Sequence, residues 1–356
     1  MNGGSTMVRS RSYIATPPGA TIKEQLTDRC MSQKEFAARM DMSEKHISKL
    51  INGEVQLTPD MAVRLEVVLG VPAQFWSKLE AIYREKLIKV EAENSMDADI
   101  ELVKIIPYNQ MAKFGWIPET RNSTDKVINL RKYFEVVELR LLENNQITRI
   151  ACRRLAISEK SDIALLAWAQ KAKLVARKIE TSPINVKGLM SYIPEIRKMT
   201  RQKPSGFVGR LKEIFSECGV ALVFLPHLQG SFLHGATFID GTKIVIGITA
   251  RGKDADRFWF SLFHEIAHIV LGHVGQANGT NIQDENDADK WARDILIPEK
   301  DMLAFEKESD FSEQAIKSFA LKMDIAPGII VGRLQNEGKV KHNMLNSLKE
   351  HYVITT

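Results

Sequence analysis

Cysteine is scarce in this sequence, and the three that are present, Cys30, Cys152 and Cys218, lie far apart. An odd number of widely spaced cysteines without a C-x-x-C pair argues against both a disulfide framework and thiolate ligation of a metal. We therefore expect each of them to be a small buried hydrophobic residue.

Long hydrophobic runs are missing as well. The longest, such as residues 219–225, fall far short of the roughly 20 apolar residues that cross a bilayer. Arg9 and Arg11 are not followed by the apolar segment of a secretory signal. These absences predict a cytoplasmic protein with no membrane partner. Hydrophobic residues make up 44% and charged residues 26% of the chain, which allows ordinary cores and excludes a disordered protein.

The chain is long and its charge is uneven. Its 356 residues are about twice a typical domain, so two or three cores are expected. The net charge is +5, but the first 205 residues are basic and the remainder is acidic. This suits a chain that meets nucleic acid with its N-terminal portion, although solvated surface charge also gives such asymmetry by chance.

Helix-start signals recur at short intervals after residue 20. They are two capping boxes, one further N-cap and one cap before a proline, at Thr21 with Glu24, Ser32 with Glu35, Ser43, and Thr58 with Pro59. Four or five short helices therefore fit into residues 21–90. Residues 32–40 and 43–51 are separated by two residues, the spacing of a helix-turn-helix whose second helix enters the major groove.

The outward face of the second helix supplies the candidate DNA contacts. With Ile47, Leu50 and Ile51 turned inward, the outward positions are Glu44, Lys45, Ser48 and Lys49. Gln33, at the start of the preceding helix, can donate to a phosphate. The alternative is a small helical bundle whose polar outer face binds nothing.

The N-terminal segment resembles the HigA-like antitoxin branch of the XRE helix-turn-helix family over residues 17 to about 90. The residues that carry the resemblance are Ser32-Gln33-Lys34-Glu35, Ser43, Ile47-Ser48-Lys49, Asn52-Gly53, Thr58-Pro59-Asp60 and Phe75-Trp76. This resemblance implies a homodimer that binds operator DNA, regulates its own operon and sometimes neutralises a toxin.

A second motif lies in the C-terminal half, where residues 264–268 read His-Glu-Ile-Ala-His. Histidines at i and i+4 of a helix lie on one face, so the rings of His264 and His268 can meet one zinc ion while Glu265 takes a proton from the attacking water. The alternative is a core helix with two structural histidines, so a third ligand is needed to decide.

Glu285, 17 residues after His268, is the best third ligand. In zinc sites of the gluzincin type this carboxylate completes the ligand set, and Asp289, one turn later, can accept the N–H of a ligating histidine. Asp284 and Asp287 remain competitors, although acidic residues at a helix start also complement its dipole. His273 is expected at the surface or a helix end, because on an ideal helix it points about 180° from His264.

Residues 259–298 resemble the ImmA/IrrE family of metallopeptidases. Beyond the histidine motif, the resemblance rests on Glu285, Ala288-Asp289, Trp291-Ala292 and Leu296-Ile297-Pro298. It implies a zinc endopeptidase that cuts a repressor or antitoxin protein. Many family members have Asn at the position of Asp289, which weakens the assignment of that residue.

Together these patterns predict a mainly helical α+β protein. We expect a flexible arm at 1–20, a helix-turn-helix domain at 21–90, a helical connector domain at 91–205 and a gluzincin-like peptidase domain with a small β-sheet at 206–356. Asp240-Gly241 between two β-branched runs predicts a hairpin, whose edge could hold a peptide and beside which His234 could stabilise an oxyanion. Residues 319–334 imitate a second helix-turn-helix, but Pro327 favours a packing role.

Two other functions fit the same residues. One is an antitoxin and autorepressor whose peptidase fold is not catalytic and serves ligand sensing or toxin binding. The other is a peptidase whose N-terminal module docks proteins instead of DNA. The presence of Glu265 favours an enzyme over the first alternative, because a fold that only binds metal has no need of a base. Exposed Lys45, Ser48 and Lys49 argue against the second.

Overall fold

The computed structural model describes residues 7–10, 12–94, 96–143, 159–231, 234–249, 253–275 and 280–352. The chain divides into two compact units, Met1–Asp99 and Ile100–Thr356. Both are dominated by helices, and the second contains a small sheet, so the mainly helical α+β class is confirmed. Among the described residues, no helix is long and apolar enough to cross a membrane.

In its described residues, the first unit combines one short strand pair with five helices, and a sixth helix begins at its end. They are β1 (Val8–Arg9), β2 (Ile14–Ala15), α1 (Gly19–Asp28), α2 (Gln33–Arg39), α3 (Glu44–Asn52), α4 (Pro59–Leu69), α5 (Ala73–Asn94) and α6 (Met96–Val103). The inward residues of α1 to α5, among them Phe36, Ile47 and Trp76, are fully buried in one core.

The helix starts of this unit follow the sequence signals with two differences. Ser32, Ser43 and Thr58 each accept a hydrogen bond from a backbone N–H of the first turn, as predicted. Thr21 is not a cap, because α1 already begins at Gly19, where a side chain would collide with the backbone of Ile51. The carboxylate of Glu35 is bonded to Arg39 at 2.7 Å instead.

The predicted flexible arm contains ordered backbone. Val8 pairs with Ala15 between antiparallel strands β1 and β2, and Ala15 is completely buried beside Tyr83 and Val90 of α5. The backbone N–H of Ser12 donates to Glu93 at 2.9 Å. Burial and these hydrogen bonds offset the entropy lost on ordering, which composition alone does not reveal. Residues 1–6 of the predicted arm lie outside the described residues.

The described part of the second unit contains the remaining helices and strands. The helices are α7 (Tyr108–Lys113), α8 (Ser123–Phe134), α9 (Glu159–Ala176), α10 (Val186–Lys198), α11 (Pro204–Glu217), α12 (Ala255–Val270), α13 (Ile282–Leu296), α14 (Glu299–Lys307), α15 (Glu313–Met323) and α16 (Pro327–Asn336). The strands are β3 (Val220–Leu225), β4 (Gly235–Asp240), β5 (Lys243–Thr249), β6 (Lys253–Asp254) and β7 (His351–Tyr352). Short 3₁₀ turns lie at Leu139–Glu143, Met199–Arg201 and Asn346–Leu348.

A three-stranded sheet with the order β3-β5-β4 separates two hydrophobic cores. β5 pairs in parallel with β3 and antiparallel with β4. Alternate residues of β3 face opposite sides: Leu222 packs with α11 and α12, whereas Val223 packs with α8 and α9. Both faces of the sheet are therefore covered by helices, which explains why β3 reads as a continuous apolar run.

The expectation of a separate connector over residues 91–205 differs from this division. Helices α7 to α9 share their core with the sheet, and Trp168 of α9 lies against Gly247 of β5, where any side chain would collide with its ring. The indole N–H of Trp168 also donates to the carbonyl of Pro226 at 3.0 Å. Helical periodicity shows that these segments bury one face, but it does not show what they bury it against.

The packing also bears on three smaller expectations. The hairpin forms, but its two loop residues are Gly241 and Thr242, because Asp240 pairs with Lys243. α16, in the segment that imitates a second helix-turn-helix, buries Ile330, Val331 and Leu334 against neighbouring helices, in a packing role. Of the cysteines, Cys218 is buried, but Cys30 is exposed in the turn after α1, and Cys152 lies outside the described residues.

Candidate metal centre and nucleic-acid interface

Two antiparallel helices of the second unit carry the candidate metal centre. α12 is a core helix, and its His268 is only 2% exposed. α13 starts at a capping box in which Asn281 and Asp284 satisfy each other's backbone N–H groups. This cap fixes the first turn of α13, and Glu285 in that turn faces the histidines of α12.

His264, His268 and Glu285 converge, with one ligand atom from each lying within 4.8 Å of the others. The two Nε2 atoms are 3.0 Å apart. The carboxylate oxygens of Glu285 lie 3.4 Å from Nε2 of His264 and 3.7 Å from Nε2 of His268. Thr280 donates to Glu285 at 2.6 Å and so orients its carboxylate.

Each histidine turns its other ring nitrogen toward a second residue. Nδ1 of His264 lies 2.8 Å from a carboxylate oxygen of Asp289. Nδ1 of His268 lies 3.1 Å from Nδ1 of His273, whose Nε2 is 3.7 Å from a carboxylate oxygen of Asp284. Each histidine ring is therefore held at both nitrogens: Nε2 faces Glu285, and Nδ1 contacts Asp289 or His273.

His273 follows the C-terminal end of α12, one of the two expected places, but it does not lie at the surface, since it is 7% exposed and contacts His268. His273 does not continue the helix that carries His264, because α12 ends at Val270 and Gly272 reverses the chain with a φ of 76°. The backbone N–H of His273 then bonds back to the carbonyl of His268 at 2.9 Å. Glycine adopts a positive φ more readily than other residues, so Gly272 was the available signal.

The competing acidic residues lie outside the group of three. Asp284 caps α13 and faces His273, and Asp287 accepts a hydrogen bond from Gln283 at 2.9 Å on the exposed side of the helix. Neither belongs to the convergent set.

Glu265 is buried beside the metal-ligand candidates and is held by the sheet. It is 5% exposed, and the hydroxyl of Thr237 in β4 donates to its Oε2 at 2.5 Å. Its Oε1 lies so close to Gly235 that a Cβ at that position would be 2.5 Å away. No sequence signal pointed to Thr237 or Gly235, because contacts between a strand and a distant helix leave no local pattern.

The electrostatics of the cluster favour a positive charge between the carboxylates. Burial lowers the pKa of His264, but hydrogen bonds with Asp289 and Glu285 outweigh burial and raise it to about 10. Burial and the neighbouring His264 lower the pKa of His268 to about 4. For Glu285, burial raises the pKa, yet hydrogen bonds from His264 and Thr280 dominate and lower it to about 2.

The predicted DNA contacts form an exposed face of the first unit. Glu44, Lys45 and Lys49 are exposed on α3, and Ser48 is half-buried between them. Gln33 is exposed at the N-terminus of α2, next to the cap Ser32. The structure thus brings these side chains to one helix pair, on the surface opposite the core residues Ile47 and Leu50.

Comparisons with known proteins agree with this two-part organisation. Residues 22–76 match the family model Helix-turn-helix, and residues 258–318 match the family model Peptidase U49. The second match includes both histidines of the cluster, Glu265 and Glu285. Over 80 residues, the chain is 36% identical to YddM, an uncharacterized HTH-type transcriptional regulator of Escherichia coli (strain K12), covering 22% of this chain and 81% of that relative. The chain therefore belongs to the helix-turn-helix transcriptional regulators of the XRE type, and it joins this N-terminal domain to a C-terminal Peptidase U49 domain of the ImmA/IrrE kind.

Proposed function

We propose that this protein is a DNA-binding regulator whose C-terminal domain is a zinc-dependent endopeptidase that cleaves a regulatory protein, such as a repressor or an antitoxin. The observation that carries the proposal is the convergence of His264, His268 and Glu285, with the buried carboxylate of Glu265 beside them. Two histidines with a purely structural role would not require this set of acidic partners.

The donor set fits zinc. Catalytic zinc sites use three protein ligands from His, Glu and Asp and leave the fourth position open. Both histidines present Nε2 to the centre while Nδ1 contacts Asp289 or His273, an arrangement that orients a ligand and fixes its tautomer. When bound, zinc supplies Lewis-acid polarisation of a carbonyl and makes water nucleophilic at neutral pH.

The chain's own residues would then move the proton and position the peptide. Glu265 accepts a proton from the attacking water and passes it to the leaving amine. Thr237 holds Oε2 of this carboxylate, and Gly235 leaves room at Oε1. Among the described strands, β4 lies at an edge of its sheet next to α12, so an extended peptide could add to it by main-chain hydrogen bonds. His234, which precedes β4, remains a candidate oxyanion donor.

The first unit would bind operator DNA as a dimer. Lys45, Ser48 and Lys49 would read base edges from α3, with Glu44 at the start of that helix, and Gln33 would contact a phosphate. A dimer of such units places its half-sites about one helical turn, roughly 34 Å, apart.

The test compares the full-length protein with Glu265→Gln against the repressors and antitoxins encoded beside its gene. We expect the variant to keep zinc and DNA binding but to lose cleavage by at least about 10²- to 10⁴-fold, because the amide removes the base without changing the fold. Glu313→Gln, at an exposed ion pair with Lys317, is the matched control and should cleave normally. If parent and Glu265→Gln leave every neighbouring protein equally intact, an antitoxin-like binding protein becomes the better account.

A further inference from the structure

Beyond the metal-ligand candidates, α12 and α13 carry further residues that line a cavity. His268 faces Glu285 and His264 faces Asp289, so the two helices run antiparallel. One turn further from the cluster, Phe260 of α12 lies with its ring 6.4 Å from that of His264. On the other helix, the corresponding next turn after Asp289 carries Arg293.

A cavity of about 380 Å³ opens at this point. Its walls include Phe260 and Leu296, one from each helix, together with residues of α16 and the C-terminal segment. His234, which directly precedes the strand that contacts Glu265, also lines it. The volume lies within the range of about 300 to 1,000 Å³ that is usual for ligand pockets, and the lining residue Phe260 lies next to the ligand candidate His264.

Two residues that line the cavity, Asp256 and Arg293, have polar side-chain atoms without a partner among the described residues. Asp256 is 9% exposed, and its Oδ2 is bonded to Lys349 at 2.9 Å, but its buried Oδ1 has no partner among the described residues. Arg293 is half-buried, and its guanidinium has no hydrogen-bond or ion-pair partner within the described chain. Because Oδ1 of Asp256 is inaccessible to solvent, the guanidinium of Arg293 is the one of these two groups that a ligand in the cavity can reach.

Most other charges that line the cavity are paired. Arg333 is bonded to Glu299 and Glu337, and Lys349 is bonded to Asp256. Arg257 approaches Asp254 only to 4.0 Å. Of the cations that line the cavity, Arg293 is the half-buried one whose guanidinium has no acidic partner among the described residues, and a planar guanidinium suits a carboxylate.

We propose that this cavity is a substrate subsite that takes an acidic residue of a bound peptide, with the carboxylate on the guanidinium of Arg293. Phe260 and Leu296 would contact the methylene groups of that residue. The proposal rests on the proposed peptidase function, since it assigns that site a preferred substrate residue. The carboxylate could belong to a Glu or Asp side chain or to a peptide C-terminus.

The test measures binding of fluorescein-labelled alanine-based decapeptides to the full-length Glu265→Gln protein by fluorescence anisotropy. Three probes are compared: a central Glu with an amidated C-terminus, a central Gln with an amidated C-terminus, and a central Gln with a free C-terminus. We expect at least about tenfold tighter binding of a carboxylate probe than of the amidated Gln probe, the usual gain for a charged hydrogen bond. Preference for the first probe assigns a side chain, and preference for the third assigns a terminus.

Substitutions in α13 test whether Arg293 causes the carboxylate preference. Arg293→Met should abolish it, and Arg293→Lys should retain part of it because the charge remains. Lys290→Met, an exposed position on the same helix, is the matched control and should retain all of it. Thermal unfolding of each variant checks that the fold is kept.

Equal affinity for all three probes, including undetectable binding, would overturn the proposal, as would a preference that survives in Arg293→Met. The measurement is repeated after chelation of metal, because Arg293 and Asp256 lie outside the ligand cluster. A carboxylate preference without zinc binding or cleavage would leave the subsite standing and remove the proposed peptidase. Cleavage without any carboxylate preference would leave the proposed peptidase standing and remove the subsite.

Discussion

The second helix of the helix-turn-helix, α3, and the histidine helix, α12, present their functional side chains in opposite ways. On α3, Lys45 and Lys49 are exposed, while the core lies on the other face. On α12, Glu265 and His268 are buried at 5% and 2% exposure and are surrounded by partners from other elements. The functional side chains of α3 therefore face solvent, whereas those of α12 lie inside the fold.

This difference reflects the chemistry that each helix is proposed to perform. Reading DNA requires side chains that can leave water for a groove, so a solvent-facing row suffices. Binding a metal and moving a proton require ligands that are oriented before the substrate arrives, and orientation comes from neighbours such as Asp289, His273 and Thr237. Substitutions on α3 should therefore act singly, whereas substitutions around α12 should act through the whole cluster.

The largest expected effect concerns the buried cluster on α12 and α13. Glu285→Ala removes the only carboxylate of the convergent set, so we expect loss of stoichiometric zinc from the purified protein, measured by elemental analysis. Asp287→Ala, an exposed neighbour on the same helix, should keep zinc. Full zinc occupancy in Glu285→Ala, or none in the parent, would contradict the assigned ligand set.

A smaller effect is expected for His273, which contacts the ligand candidate His268 but is not itself one of the ligand candidates. If Nε2 of His268 binds zinc, its ring proton must be on Nδ1, and the described residue within hydrogen-bond distance of that atom is His273. His273→Ala should therefore weaken zinc binding by about 10- to 100-fold, measured by competition with a chromophoric chelator. His273→Asn, which keeps an acceptor, should recover part of this affinity, and exposed His227→Ala should change nothing. Unchanged zinc affinity in His273→Ala would show that zinc binding does not depend on a hydrogen-bond partner at Nδ1 of His268.

The smallest effects are expected on the surface helix, and they should separate two kinds of contact. Lys45→Ala should weaken binding to the upstream operator by about 1 kcal/mol or more and change sequence preference, because it is proposed to contact bases. Gln33→Ala should weaken binding to all sequences about equally, since a phosphate contact carries no direct sequence information. Mobility-shift assays at fixed salt measure both. If the parent protein binds its upstream DNA no better than random DNA, the proposal that α3 reads DNA sequence is contradicted.

Local signals determined much of what could be predicted. The caps at Ser32, Ser43 and Thr58 are made by hydrogen bonds within one turn, so the residues themselves specify where α2, α3 and α4 begin. The spacing of His264 and His268 places both rings on one face of any helix that contains them.

The tertiary structure decided what those local elements meet. Gly272 turns His273 back onto His268, the sheet brings Gly235 and Thr237 against Glu265, and the helices from residue 100 to 205 bury their apolar faces in the same unit as that sheet. These contacts join residues that are distant in sequence or separated by a chain reversal, and periodicity carries no information about them. The sequence by itself therefore determined the helices and the chemistry on their faces, whereas packing decided which partners surround that chemistry, because hydrophobic burial favours a buried face without specifying its neighbour.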